Sequence, residues 1–317
     1  MATRVPLAGG DSETLLNEVG PALLPFFTTR DACALRLVCR EFLAAAREHA
    51  WCDAATPILG SIGAWRACFP RARAANVGRG RFGPRVAPVL DGDLAHLEGL
   101  AELRMGGCEH VSGAALARLR GLRVLDLSGC CQASITAADF APLAGLHTLR
   151  LAECAEAAFT RTGEFLAPLA GALRVLDLSD CFLITDATFE HLSGLHALNI
   201  DSCLPSDVTD AAFARLRGLR ALSMRGCTQV TDAAFAHLAG LHTLAMSRCD
   251  QATITDGAFA HLRGLRALDM SSCSQDTITG AALAHLAGIG ELRMWGCREE
   301  CIAAARAQGL PVSLRTS

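Results

Sequence analysis

A chain of 317 residues with 51% hydrophobic content can bury a large core and reads as one or two globular domains. Its formal net charge of -3 gives no general attraction to nucleic acid or to an anionic membrane. No apolar run approaches the roughly 18 residues that would cross a bilayer.

The first ten residues contain no apolar stretch and are expected to be a flexible tail without a secretory signal. A reducing, intracellular compartment (cytoplasm, nucleus or both) is therefore expected, where the 15 cysteines stay as thiols. Residues 11–55 are predicted to form a small helical unit. Leu15, Leu16, Val19, Leu23 and Phe27 recur at helical spacing, broken by Gly20-Pro21. After Thr29-Arg30-Asp31 a second apolar stripe runs through Leu35, Val38, Cys39 and Phe42, and Trp51 closes the segment. So few residues cannot hold an independent core. The hairpin is expected to pack on another protein or on the end of the larger domain C-terminal to it.

Residues 56–98 read as a connector and a degenerate opening coil, with Ala72, Ala75 and Val77 as its apolar positions. The run Gly78 to Gly83 matches G-x-G-x-x-G, but Pro84 comes at once and Pro88 soon after. A dinucleotide site needs a helix to open there, so this stretch reads as a loop.

From residue 99 to 298 the chain repeats. Copies begin at Leu100, Leu122, Leu146, Leu173, Leu195, Leu219, Leu241, Leu265 and Ile289, spaced 22 to 27 residues apart. Each reads L-x-x-L-x-L/M/I-x-x-C, which resembles the leucine-rich repeat with cysteine in its Asn/Cys slot. In the copy from Leu241, Leu244 and Met246 flank Ala245 with the period of two of a half-buried strand. Thr255-Asp256 starts a helix, Thr as cap and Asp in the first turn. Phe259 and Leu262 form its inward stripe, and Gly264 ends it. One copy cannot bury its own apolar face, so the copies are expected to stack into an α/β solenoid, with parallel strands on the concave side and helices outside. The long copy from Leu146 to Gly171 is expected to bulge. Residues 299–317 read as a capping helix and tail.

The cysteine column, Cys108, Cys130, Cys154, Cys181, Cys203, Cys227, Cys249, Cys273 and Cys297, falls where each strand turns inward. A small apolar side chain with a weak S–H donor suits that corner. One sulfur per coil makes a line, whereas zinc needs four ligands converging tetrahedrally, so no metal is expected. His147, His196 and His242 alternate with Arg123, Arg174, Arg220 and Arg266 after the first leucine, and read as surface side chains on separate coils. No catalytic constellation and no cofactor site is visible, so the chain is not expected to be an enzyme.

Two outward columns flank the buried strand positions. One reads Arg104, Asp126, Arg150, Asp177, Asn199, Ser223, Ala245, Asp269, Arg293; the next includes Asp201, Arg225 and Trp295. Their mixed charge suits a polar protein target better than a phosphate polymer. Trp295 reads either as an exposed anchor, since aromatics and Arg dominate binding energy, or as a residue packed on the capping helix.

The N-terminal segment resembles an F-box. Leu15, Glu18, Val19, Leu23, Phe27, Arg30, Asp31, Leu35, Leu37, Val38, Cys39, Arg40 and Phe42 match that pattern, while Leu16, Pro21 and Ala32 depart from it. With nine cysteine-type repeats behind it, the chain is similar to F-box and leucine-rich-repeat proteins. That resemblance implies a non-catalytic substrate receptor of a Skp1–cullin–RING ubiquitin ligase. Leu15, Glu18, Val19, Leu23, Phe27, Leu35 and Val38 would contact the Skp1-like adaptor, and the repeats would hold a target protein near a separate E2. Tyrosine is absent and all 29 basic residues are arginine. A coding bias towards Ala, Gly and Arg accounts for the missing lysine; protection of a ligase subunit from its own E2 is the other reading. The alternative function is a leucine-rich-repeat scaffold or inhibitor whose helical segment only caps the solenoid.

Overall fold

Each repeat strand is only three residues long and centres on the first residue of a Leu-x-Leu/Met/Ile triplet, because one side chain in two can reach the core before the chain must turn. The computed structural model describes residues 24, 27–35, 40–79, 88–130, 134–154, 159–203 and 207–314. Its strands are β1 (Ala74–Asn76), β2 (Glu102–Arg104), β3 (Val124–Asp126), β4 (Thr148–Arg150), β5 (Val175–Asp177), β6 (Ala197–Asn199), β7 (Ala221–Ser223), β8 (Thr243–Ala245), β9 (Ala267–Asp269), β10 (Glu291–Arg293) and β11 (Val312–Ser313). They form one parallel sheet in chain order. Equivalent repeat positions pair, Leu103 with Leu125 and Leu125 with Leu149, so apolar side chains stack in continuous buried columns.

The residue before each repeat cysteine turns the chain off the sheet. It lies in the left-handed region in all nine copies, with φ between 56° at Asp180 and 73° at Gly226. Glycine takes this conformation at no steric cost, yet Glu153, Asp180, Ser202, Arg248 and Ser272 also adopt it. The turn delivers the cysteine to the interior, where its S–H reaches back to the carbonyl just past the strand of the preceding coil. Cys249 donates to Met224 O at 3.2 Å, Cys273 to Met246 O at 3.1 Å and Cys203 to Leu178 O at 3.1 Å. The recurring cysteine is thus both a small core residue and the donor of a ladder running along the solenoid.

On the convex side the expected helix shrinks to a single turn, such as Asp256–Phe259, and in some coils to 3₁₀ geometry, as at Asp186–Phe189. Thr255 Oγ1 accepts from Gly257 N as the cap. The same threonine donates from N and Oγ1 to the two carboxylate oxygens of Asp232, one coil back, at 2.8 and 2.5 Å. Thr209–Asp186, Thr231–Asp210 and Thr279–Asp256 repeat the clasp. Phe140, Phe165, Phe189, Phe213, Phe235 and Phe259 are fully buried beneath these turns. Gly264, with φ +86°, ends its turn in a conformation that would strain any side chain. The long copy from Leu146 adds the turn Phe159–Thr162 ahead of Glu164–Leu169. Its extra residues go to the convex side, and the register of β4 with β5 is unbroken.

Both ends are closed. At the start, α1 (Thr29–Leu35), α2 (Arg40–Glu48) and α3 (Ile62–Cys68) precede β1. The opening coil forms as expected, with Ala72, Ala75 and Val77 buried. Leu24, Ala32, Ala46 and Trp51 belong to the same continuous core as the repeats. Trp51 donates from Nε1 to Ala46 O and accepts at its carbonyl from Arg73 N and Ala74 N, which ties α2 to β1. Thr29 donates from N and Oγ1 to Asp53. At the far end α4 (Glu299–Ala307) covers the last coil. Where the sequence suggests only a tail, the chain then returns to the sheet as β11, paired with β10.

Candidate partner-binding face

The concave surface is built from the residues between and just beyond the buried strand positions. The first outward column is held largely by its own turns. Asp126, Asp177 and Asp269 accept from the N–H of Ser128, Ser179 and Ser271, and Asn199 from Asp201, all at 3.0 or 3.1 Å. A short polar side chain bonding two residues ahead fixes the end of the strand. These residues, picked from sequence as target contacts, therefore also shape the turn. Arg104 and Arg293 fold back on Glu102 and Glu291 of their own strands. Arg150 lies half-buried on β4.

Over the later coils the face deepens into a groove of about 720 Å³ lined by Asp180, Asn199, Asp201, Arg225, Arg248, Asp269, Arg293, Trp295 and several serines. Arg225 spans it. Its guanidinium lies 3.2 Å from Asp269, two coils on, and its Nε lies 4.0 Å from Asp201, without a hydrogen bond. Asp201 Oδ1 is anchored by Ser223 Oγ and Arg225 N. The bridge can skip a coil because the coil that contains β8 presents only Ala245 and Ser247 there. Trp295 is 48% exposed and lines the groove, while the capping helix buries Cys301, Ile302 and Ala305 instead.

Two outward columns are not evident from the sequence alone. One holds Glu102, Thr148 and Glu291 at the strand starts. The other is the left-handed position, which places Glu153, Asp180 and Arg248 at the rim. A signal for the second does exist: it is the residue immediately before each cysteine.

Six of the nine repeat thiols are held as S–H by their burial. Burial pushes Cys108, Cys203 and Cys249 up to about 12 and Cys297 up to about 11, and raises Cys227 and Cys273 further. No two cysteines among the described residues are joined by a disulfide. No group of three or more His, Cys, Asp or Glu among the described residues is placed to hold a metal ion. No helix among them is long and apolar enough to cross a membrane.

Of the residues proposed for an adaptor, Leu15, Glu18, Val19, Leu23 and Val38 lie outside the described residues. Leu35 ends α1, and Phe27 is half-buried against the core. The Gly-rich run after Gly78 also lies mostly outside them.

No family model matches this sequence, and no curated protein does. Among solved structures, the chain is similar to the TLR13–ssRNA13 complex, with TM-score 0.55 and 19% identity over 73% of this chain and 36% of that one. It is similar to the mouse RP105/MD-1 complex, with TM-score 0.52 and 17% identity over 76% of this chain and 46% of that one. The complex of Rad7 and Elc1 in yeast gives TM-score 0.50 and 15% identity over 96% of this chain and 89% of that one. The chain thus spans less than half of the first two. At these identities the likeness is one of fold: this is a leucine-rich-repeat solenoid.

Proposed function

We propose that the chain is a non-catalytic receptor that holds a protein target on its concave face. The observation that carries this reading is the groove over the later coils, where a half-exposed Trp295 sits among serines and charged side chains of both signs. Exposed aromatic and arginine side chains are the residues that concentrate binding energy. Acidic residues along the same face disfavour a nucleic acid, although one structural neighbour was solved with RNA. The test is photo-crosslinking from position 295 in cells: crosslinked protein that is lost when Arg225 and Asp269 are both replaced supports it, and crosslinking unchanged by those replacements counts against it.

The finer reading is that residues 11–55 dock on Skp1 and make the chain the substrate receptor of a cullin–RING ubiquitin ligase in a reducing compartment. Its support is the F-box-like pattern through Leu35 and Phe42, together with a solenoid neighbour, Rad7, solved with a bound partner, Elc1. A plain scaffold is the second reading, favoured by the burial of Leu24, Ala32, Ala46 and Trp51 in the solenoid's own core. Mixing the purified full chain with Skp1 decides between them: a stable complex that is lost on Leu35→Asp supports the ligase, and the absence of a complex leaves the scaffold.

A further inference from the structure

The charges of the groove are not mixed at random along the solenoid. At β5 and β6 the face carries Asp177, Asp180 and Asp201. From β8 to β10 it carries Arg248 and Trp295, while Arg293 is paired with Glu291 of its own strand and Asp269 with Arg225. Between them Arg225 is already compensated by Asp201 and Asp269, so it separates the two ends without adding free charge. Asp180 and Arg248 occupy the same left-handed repeat position, and neither has an ion pair or side-chain hydrogen bond among the described residues. The structure therefore presents unpaired acid at one end of the groove and an unpaired guanidinium beside an exposed indole at the other.

Resting on the reading of this face as the target site, we infer that its ligand is an extended peptide segment with ordered charge. A basic side chain sits over Asp177 and Asp180, and an acidic side chain next to an aromatic or proline sits over Arg248 and Trp295. Five strand-to-strand steps from β5 to β10, at about 4.8 Å each, span roughly 24 Å, which an extended chain covers in about seven residues at ~3.4 Å each. The serines and Thr228 lining the groove supply hydroxyls to the intervening peptide backbone. Like charges set against either end would repel, which fixes the direction in which the segment lies.

The experiment is selection of a displayed random-dodecapeptide library on the full chain, followed by fluorescence polarisation of the enriched peptides against three variants. Asp177→Asn/Asp180→Asn keeps the turn acceptors and a side chain tolerant of positive φ. Arg248→Gly places at that position the residue Gly226 provides one coil earlier. Trp295→Ala removes the indole. Expected are peptides with a basic residue five to seven positions from an acidic–aromatic pair. Binding should weaken at least tenfold with Trp295→Ala and severalfold with each charge variant. The loss with Asp177→Asn/Asp180→Asn should vanish once the peptide's basic residue is replaced by Gln. Peptides that need Trp295 but show no charge order, and ignore both charge variants, overturn this inference and leave the concave site standing. Peptides indifferent to all three variants, or no enrichment at all, overturn the site as well.

Discussion

Raising the pH should unfold this protein through its cysteines. Six repeat thiols, Cys108, Cys203, Cys227, Cys249, Cys273 and Cys297, are raised by burial from an ordinary 9.0 to about 11 or above. A group whose pKa is higher in the folded state contributes its full stabilisation below the unfolded value. That contribution is lost as pH rises towards the folded value. At pH 10 an unfolded thiol is about nine-tenths ionised while its folded counterpart stays protonated, a loss on the order of 1 kcal/mol per site. Six such sites together remove several kcal/mol, comparable with the ~5–15 kcal/mol that holds a domain together. The composition makes the window unusually clean: there is no tyrosine and no lysine, and arginine does not titrate there. The assay is urea unfolding followed by far-UV circular dichroism under a non-thiol reductant, at steps between neutral pH and about pH 10. Cys249→Ala should cost stability at neutral pH yet lose roughly 1 kcal/mol less on going to pH 10. A midpoint that stays level between about pH 8 and 10 would refute the picture of sulfurs held as S–H donors in a dry corner.

Three further outcomes test the rest of the architecture. Asp232→Ala strips the acceptor from both Thr255 N and Thr255 Oγ1 and should lower stability by about 1–3 kcal/mol in chemical denaturation, with Asp210→Ala similar because its clasp on Thr231 is the same. Phe235→Ala, at a site with no solvent exposure, should cost about 3–5 kcal/mol, whereas Trp295→Ala should leave the thermal midpoint nearly unchanged. Arg248→Gly relieves a residue held at φ 61° and should be neutral or stabilising by up to ~1 kcal/mol; a clear loss would show that the guanidinium is engaged in the free protein.

The solenoid is legible in the sequence because its determinants are local. Leu244 and Met246, then Cys249, then Thr255-Asp256 state strand, corner and cap within one coil, and nine copies in register exclude accident. The features that the sequence hides depend on partners a coil or more away. The clasp of Thr255 on Asp232 joins residues 23 apart, and the Arg225–Asp269 bridge joins residues 44 apart across an intervening strand. Val312–Ser313 carries no repeat pattern, and it becomes a strand because β10 offers it an unpaired edge. The convex helix is shorter than its apolar stripe suggests for a simpler reason. A coil of this period that spends residues on strand, corner and loop leaves room for one turn only. For the N-terminal segment the apolar stripes are readable, and Ala32, Ala46 and Trp51 are buried in the solenoid's own core; the residues named for an adaptor lie mostly outside those described.

The same distinction separates scaffold from function on the concave face. Polar residues that complete an internal bond recur because every coil needs them: the aspartates that accept from the residue two ahead, the threonine clasps, the cysteine ladder. They would be present whatever the target. The residues that break the repeat for no internal benefit are the informative ones. Arg248 and Asp180 put charged side chains on a left-handed backbone that glycine or serine takes in most other coils, and Trp295 leaves half of an indole in water. Each of these choices costs folding free energy locally. Their convergence on one groove, with the small Ala245 and Ser247 clearing its floor, is the ground on which we propose a ligand there rather than a further demand of the fold.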